Sequence, residues 1–222
     1  MRLWAALPFL IALAAGCASP SLAKLDSEDP DERREGVTDL ACATLEEHES
    51  AEQRVAVAER ARKLAHSDPN PAVRASAIRA AVKLGVAGVQ PREAAQTCGE
   101  QLSPSVSKDA FVRLDAAEGL ADLALRAPGD EATRAAIRQE ALDGLKGALR
   151  VDDDRDIRIA AARSLGDMRA NEAVPDLIQA LHDETPDVRY HAERALVKIT
   201  GVDKGPNFED WASWAKDRES GR

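Results

Sequence analysis

Histidines, cysteines and short runs of carboxylates are the residues of this chain whose types suit chemistry. His48, His66, His182 and His191 could act as general bases or metal ligands, and Cys17, Cys42 and Cys98 as nucleophiles or thiolate ligands. Their spacing does not gather them. None of the histidines falls in a zinc-helix or triad pattern, and T-C-G-E around Cys98 matches no nucleophile motif. His182 and His191 flank the start of one expected helix, which places them at the surface. Cys42 and Cys98 lie in different segments, and their spacing supports small buried thiols over a disulfide. Asp152–Asp154 and Asp183-Glu184 are dense enough in carboxylates to attract a cation. They lack the glycine and distal glutamate of an EF-hand loop, and helix capping accounts for them more simply. The expectation is no catalytic residue, no metal and no cofactor.

The element that positions these residues recurs along the chain. Its clearest copy runs from Asp183 to Thr200. Thr185 suits an N-cap, since its hydroxyl can accept from a free N–H of the first turn. Pro186 occupies the first helical position, where a missing N–H costs nothing, and Asp187 faces the positive end of the helix dipole. Val188, Ala192, Ala195, Leu196 and Ile199 then form one apolar stripe, and Gly201 is the stop. Asn70 precedes a matching stripe of Val73, Ala77, Ala80, Ala81 and Leu84, with Gly85 as its stop. Asp109 precedes Val112, Ala116, Gly119, Leu120 and Leu123. Asp154 precedes Ile157, Ala161, Ser164, Leu165 and Met168. Asp29 opens a degenerate first copy, whose stripe fits Val37, Leu40 and Ala41 only after a one-residue shift.

The expected N-caps Asp29, Asn70, Asp109, Asp154 and Thr185 are 41, 39, 45 and 31 residues apart. Each gap has room for a second helix, at about Ala51–Ala65, Gln90–Leu102, Glu131–Leu149 and Glu172–Leu181. Gly129, Gly166, Gly201 and Gly205 are expected at turns. No stretch alternates as a strand does.

The segments D-P-N-P-A-V-R-A-S-A, D-D-D-R-D-I-R-I-A-A-A-R-S-L-G and D-E-T-P-D-V-R-Y-H-A carry a resemblance to the HEAT-repeat family. Within it they are similar to short bacterial HEAT-like repeats also found in phycobilisome lyases. The resemblance covers roughly residues 28–200. It implies an all-α fold, a right-handed α-solenoid of stacked antiparallel helix pairs. Residues 29–200 would form about five repeats, and residues 201–222 a C-terminal capping helix and tail. The fold by itself names no activity.

An arginine follows each cap at the same place: Arg74, Arg113, Arg158 and Arg189, with Arg33 or Arg34 in the first copy. It can pair with an acidic residue of the next repeat, as Arg158 with the Asp183–Asp187 loop, making an inter-repeat ladder. The alternative is a row of donors for an acidic partner. At the C-terminus, Phe208, Trp211 and Ala215 share a helix face with Trp214 beside it. They suit a cover for the last repeat, or an aromatic contact for a partner.

The chain begins with Arg2 and an apolar run from Leu3 to Ala15, too short to span a bilayer comfortably and broken by Pro8. It reads as a secretory signal over residues 1–16. Leu13-Ala14-Ala15-Gly16-Cys17 resembles a bacterial lipobox, which implies lipidation of Cys17 and a lipid-anchored, HEAT-repeat lipoprotein. Residues 17–28 would be a flexible tether. Ala18 after the cysteine favours the outer membrane and the periplasmic side. The formal charge of -9 argues against a nucleic-acid groove, which needs a basic face. These features point to a non-enzymatic scaffold in the bacterial cell envelope that binds an unknown protein or peptide. A structural spacer without a discrete ligand is the alternative. A lyase-like protein handling a bilin-type chromophore is a third, disfavoured by the exported address.

Overall fold

A computed structural model describes residues 24–43 and 50–220. Among these the chain is helical, without strands. The helices are α1 (Pro30–Ala43), α2 (Ala51–Ser67), α3 (Pro71–Val86), α4 (Pro91–Leu102), α5 (Ala110–Arg126), α6 (Glu131–Val151) and α7 (Arg155–Asp167). A 3-10 turn at Asn171–Ala173 leads into α8 (Val174–Ala180), then α9 (Pro186–Thr200) and α10 (Phe208–Glu219). The last gap is the shortest, and the helix expected at Glu172–Leu181 is reduced there to the seven residues of α8.

The helices start where local chemistry satisfies free N–H groups. Ser50 and Gln53 make a reciprocal capping box before α2, with contacts of 3.2 and 2.7 Å. Asp130 accepts from Thr133 N at 2.8 Å before α6. Pro71, Pro91 and Pro186 sit in first turns.

Two layers result. The odd-numbered helices pack in order, α1 on α3, α3 on α5, α5 on α7 and α7 on α9. The even-numbered helices do the same, from α2 to α10, and neighbours such as α2 and α3 or α8 and α9 join the layers. This is a solenoid, with one apolar cluster running from Leu25 to Trp211. The stripe residues Val73, Val112, Ile157 and Val188 are fully buried, as are Ala77, Ala116, Ala161 and Ala192. Small side chains let the stacked helices approach closely. That explains two glycines expected to end elements. Gly166 lies inside α7, where a Cβ would fall 2.9 Å from the Ala195 Cα. Gly85 lies inside α3, where a Cβ would fall 2.7 Å from Leu123 Cδ2. The chain turns instead at Gly88 and Gln90, both at positive φ. Gly201, at φ 73°, ends α9 as expected.

Of the tether expected over residues 17–28, the described part, residues 24–28, is held against the first repeats. Leu25 is 3% exposed and belongs to the core cluster. Lys24 pairs with Glu35 at 3.0 Å and Asp39 at 3.4 Å, and Asp26 pairs with Arg60. No described helix is long and apolar enough to cross a membrane.

Candidate functional site

The repeated arginines project from the first turn of each odd helix into the loop edge of the stack. Arg113 Nη1 donates back to the carbonyls of Ser107 and Lys108, both at 3.1 Å. Its Nε and Nη2 reach forward to both oxygens of Asp152 at 2.8 and 2.9 Å, and Nη2 also meets Asp153 at 2.8 Å. Arg158 repeats this pattern, back to Asp152 O at 3.0 Å and forward to Asp183 at 2.8 and 3.0 Å. Arg33, not Arg34, fills the place in the first repeat, donating to Asp68 at 2.8 and 3.1 Å. Planar forks gripping carboxylates in this way are strong and directional. The guanidinium therefore locks its own loop and clamps the next repeat.

The acceptors are Asp68, Asp152 and Asp183, of which the expected pairing of Arg158 with the Asp183–Asp187 loop covers only the last. Each stands two residues before an N-cap, and that spacing is visible in the sequence. Each also accepts the backbone N–H of the cap itself: Asn70 N, Asp154 N and Thr185 N, all at 2.8 or 2.9 Å. Burial alone would push the Asp183 carboxyl up. Arg158 and the Thr185 N–H outweigh it and hold the carboxyl below the usual carboxylate range. A depressed folded pKa gives stability that is complete above the unfolded value and lost as pH falls through the folded one. An acid titration followed by circular dichroism should show Asp183→Asn removing part of the stability lost below about pH 4.

The cap expectations hold unevenly. Asn70, Asp154 and Asp29 accept from Ala72, Asp156 and Asp31 N–H groups at 2.8, 2.8 and 2.9 Å. Asp109 and Thr185 occupy N-cap positions without making a side-chain cap bond. Both are diverted to the ladder. Thr185 Oγ1 accepts from Arg158 at 3.3 Å, and Asp109 Oδ2 accepts from Arg74 at 2.5 Å. Asp109 is recruited because its loop has Ser107 where the loops that accept from Arg33, Arg113 and Arg158 have Asp68, Asp152 and Asp183. The Ser107 hydroxyl is buried and without a hydrogen-bond partner. Ser107→Asp should supply the missing acceptor and raise stability by about 1 kcal/mol, read as a shift in urea midpoint.

A second feature lies on the outer face of the odd layer. A groove of 560 Å³ crosses α3, α5 and α7. Its charged lining comes from positions five and nine after each ladder arginine: Arg79 and Lys83, Glu118 and Asp122, Arg163 and Asp167. Asp115 also lines it and pairs with Arg79. Burial lifts the Asp115 carboxyl above its usual range despite that arginine. Arg126 pairs with Asp122 at 2.8 Å, and Lys198 of α9 with Asp167 at 2.6 Å. Leu125, 53% exposed, adds an apolar wall. The signal of this face in the sequence is charge recurring one turn apart, beside the more conspicuous buried stripe.

The residues first considered for chemistry stay apart. Among the described residues no group of three or more His, Cys, Asp or Glu side chains could hold a metal ion. His66 Nδ1 contacts Gln101 at 3.0 Å, and His182 stacks on Phe208 with ring centroids 4.0 Å apart. His191 is half-buried; burial and then Arg163 lower its pKa, against Asp187. Cys98 is buried, and burial, with the charges of Asp115 and Glu140, pushes its thiol up to about 12. Cys42 is exposed rather than buried as expected, and Lys83 Nζ lies 3.0 Å from its sulfur. Both are free thiols. Alkylation of native protein should therefore label Cys42 and spare Cys98 until denaturant is added, read by peptide mass. His48 and Cys17 lie outside the described residues.

At the C-terminus Trp211 is 0% exposed, and its Nε1 donates to Gly205 O at 2.8 Å. Trp214, half-buried, meets it edge-on at 5.6 Å, with Arg218 over its own ring. α10 packs against α8 and so closes the even layer.

A family model described as HEAT repeats matches residues 142–219. Among solved structures, an engineered protein is 22% identical, with 90% of this chain and 88% of that one covered at a TM-score of 0.57. The chain is a solenoid of the HEAT and armadillo type. A computationally designed armadillo repeat protein for modular peptide recognition is 19% identical, with 90% of each chain covered at a TM-score of 0.55. The complex of CpcE and CpcF of phycocyanin lyase from Nostoc sp. PCC7120 is 21% identical, covering 89% of this chain and 71% of that one at 0.53. At these identities the likeness concerns the fold. No curated protein matches the chain. In a solenoid of this type the ladder holds successive repeats in register, and the odd layer presents one continuous face.

Proposed function

We propose that the chain is a non-enzymatic interaction scaffold, exported and held on a bacterial membrane by a lipid on Cys17. The groove across α3, α5 and α7 carries this reading. It is long, open and lined by both signs of charge, which suits an extended protein segment better than a small molecule. Arg79 and Lys83 on α3, then Glu118 and Asp122 on α5, set a basic patch beside an acidic one. A partner segment with the opposite order of charges would meet both. The designed armadillo neighbour, made for modular peptide recognition, is a precedent for a peptide partner on a repeat stack of this fold. The likeness to the phycocyanin lyase complex is no stronger than that to the engineered proteins, and a bilin-handling role gains nothing from it.

The test is photo-cross-linking in the native envelope from position 163, with Gln96 on the opposite layer as control. One partner captured from the groove, and lost with Glu118→Arg, supports the scaffold. Equal capture from Gln96, or none from the groove, leaves the spacer reading. The address has a separate check, intact mass of membrane-extracted protein with a Cys17→Ser control. A lipid mass on a chain starting at Cys17, absent in the control, is the expected result.

A further inference from the structure

The ladder is unfinished at one end of the stack and has a matching socket at the other. Arg189 makes the backward half of its rung, with Nη1 donating to Asp183 O at 2.7 Å and Glu184 O at 3.0 Å. No described residue accepts from its Nε or Nη2, the two groups that Arg113 and Arg158 use to clamp the next repeat. α10 does not fill the place, because it packs against α8 in the even layer. Tyr190, beside the free fork, is 56% exposed.

At the opposite end, Asp29 is exposed and uses Oδ1 to accept from Asp31 N at 2.9 Å. Its Oδ2 meets no donor among the described residues. Ser27 stands two residues before it. The same pair of residue types, Ser107 and Asp109, forms the variant loop in which an N-cap aspartate accepts a ladder arginine, Arg74, at 2.5 Å. The first repeat therefore carries the same acceptor in sequence, and no arginine among the described residues donates to it. Glu28, Asp31 and Glu32 surround it, all exposed, with Arg34 engaged by Asp31 at 3.2 Å. That end is acidic, as an incoming guanidinium requires.

We propose that the chain stacks head to tail on a second copy of itself, Arg189 of one copy donating to Asp29 of the next. The contact joins two different surfaces, so it does not close on itself and it extends into rows. A second copy is the occupant because its first loop reproduces the one loop type already paired through an N-cap aspartate. The proposal goes beyond the scaffold reading and does not depend on it; rows would repeat the groove at a fixed spacing.

Sedimentation velocity of the full-length chain in mild detergent, over a wide concentration range, tests it. Wild-type protein should show species that grow with concentration. Arg189→Ala and Asp29→Asn should each weaken association about tenfold, the loss typical of a charge-assisted hydrogen bond. Asn at position 29 can still cap α1, so circular dichroism melts should be unchanged. Mixing the two variants is the decisive arm. One retains Asp29 and the other Arg189, so they should form dimers that do not grow further. A wild-type chain that stays a single species overturns the proposal. So does association that survives both substitutions, which would be lipid-mediated, or a mixture that restores nothing.

Discussion

Replacing Arg113 with alanine is expected to destabilise the protein by about 3–5 kcal/mol, the cost of stranding one half of a buried ion pair. The Arg113 side chain is 4% exposed and that of Asp152 is 0%. Its fork makes five hydrogen bonds, two of them to backbone carbonyls. Alanine would leave Asp152 with the Asp154 N–H at 2.9 Å and little else, in a site closed to water. Lysine should not rescue it, because one ammonium cannot hold both carboxylate oxygens and both carbonyls. The fault also falls at the middle of the stack. Each repeat of a solenoid contacts only its neighbours, so a weakened middle uncouples the two ends. Urea unfolding of Arg113→Ala should therefore show a lower midpoint and a broader or divided transition. A sharp transition shifted by less than about 1 kcal/mol would mean the rung is solvated, as exposed pairs are. Arg74→Ala offers an internal comparison. Its rung is more open, with side chains 16% and 37% exposed, and uses one forward contact. Its loss should be smaller, about 1 kcal/mol, and should leave the transition sharp.

The contrast between these rungs shows how far the sequence could be read. The stripe from Val188 to Leu196 and its earlier copies announce helices that bury one side, because burial imposes the helical period directly. The arginine recurs with the stripe and so was visible too. Its partner was less plain: Asp152 and Asp183 sit in loops among other carboxylates with equal claim, and the spacing before the cap shows where Asp68, Asp152 and Asp183 stand but not that they accept from the preceding repeat. Choosing among them needs the angle at which one repeat stacks on the next, which is a property of packing and not of local pattern. Gly85 and Gly166 fail for the same reason. A glycine near a helix end is read as a stop, yet here the neighbouring helix approaches where a side chain would stand. The groove was hidden differently. Charges on an exposed helix face usually mean only solvation, and their meaning here comes from three helices bringing such faces together.

The second large effect is expected at the end of the chain. Trp211→Ala should cost about 3–5 kcal/mol, since it removes the largest fully buried side chain among the described residues and leaves a cavity. It also orphans the Gly205 carbonyl, which now accepts from Nε1 at 2.8 Å. The turn from Gly201 to Asn207 would lose its main fixture, and the edge contact that holds Trp214 would go with it. Because repeats are coupled to their neighbours, the loss should stay local. α10 and the short α8 should loosen first, while α3 to α6 keep their protection in amide hydrogen exchange. Trp211→Phe separates the causes: it retains most of the packing, gives up the hydrogen bond, and should lose a good deal less than alanine. Native tryptophan emission should be blue-shifted and partly shielded from quencher, with Trp211 silent to it and the half-buried Trp214 responding. Full quenching of both in the folded state would mean that α10 is an exposed contact surface, and that the even layer ends at α8.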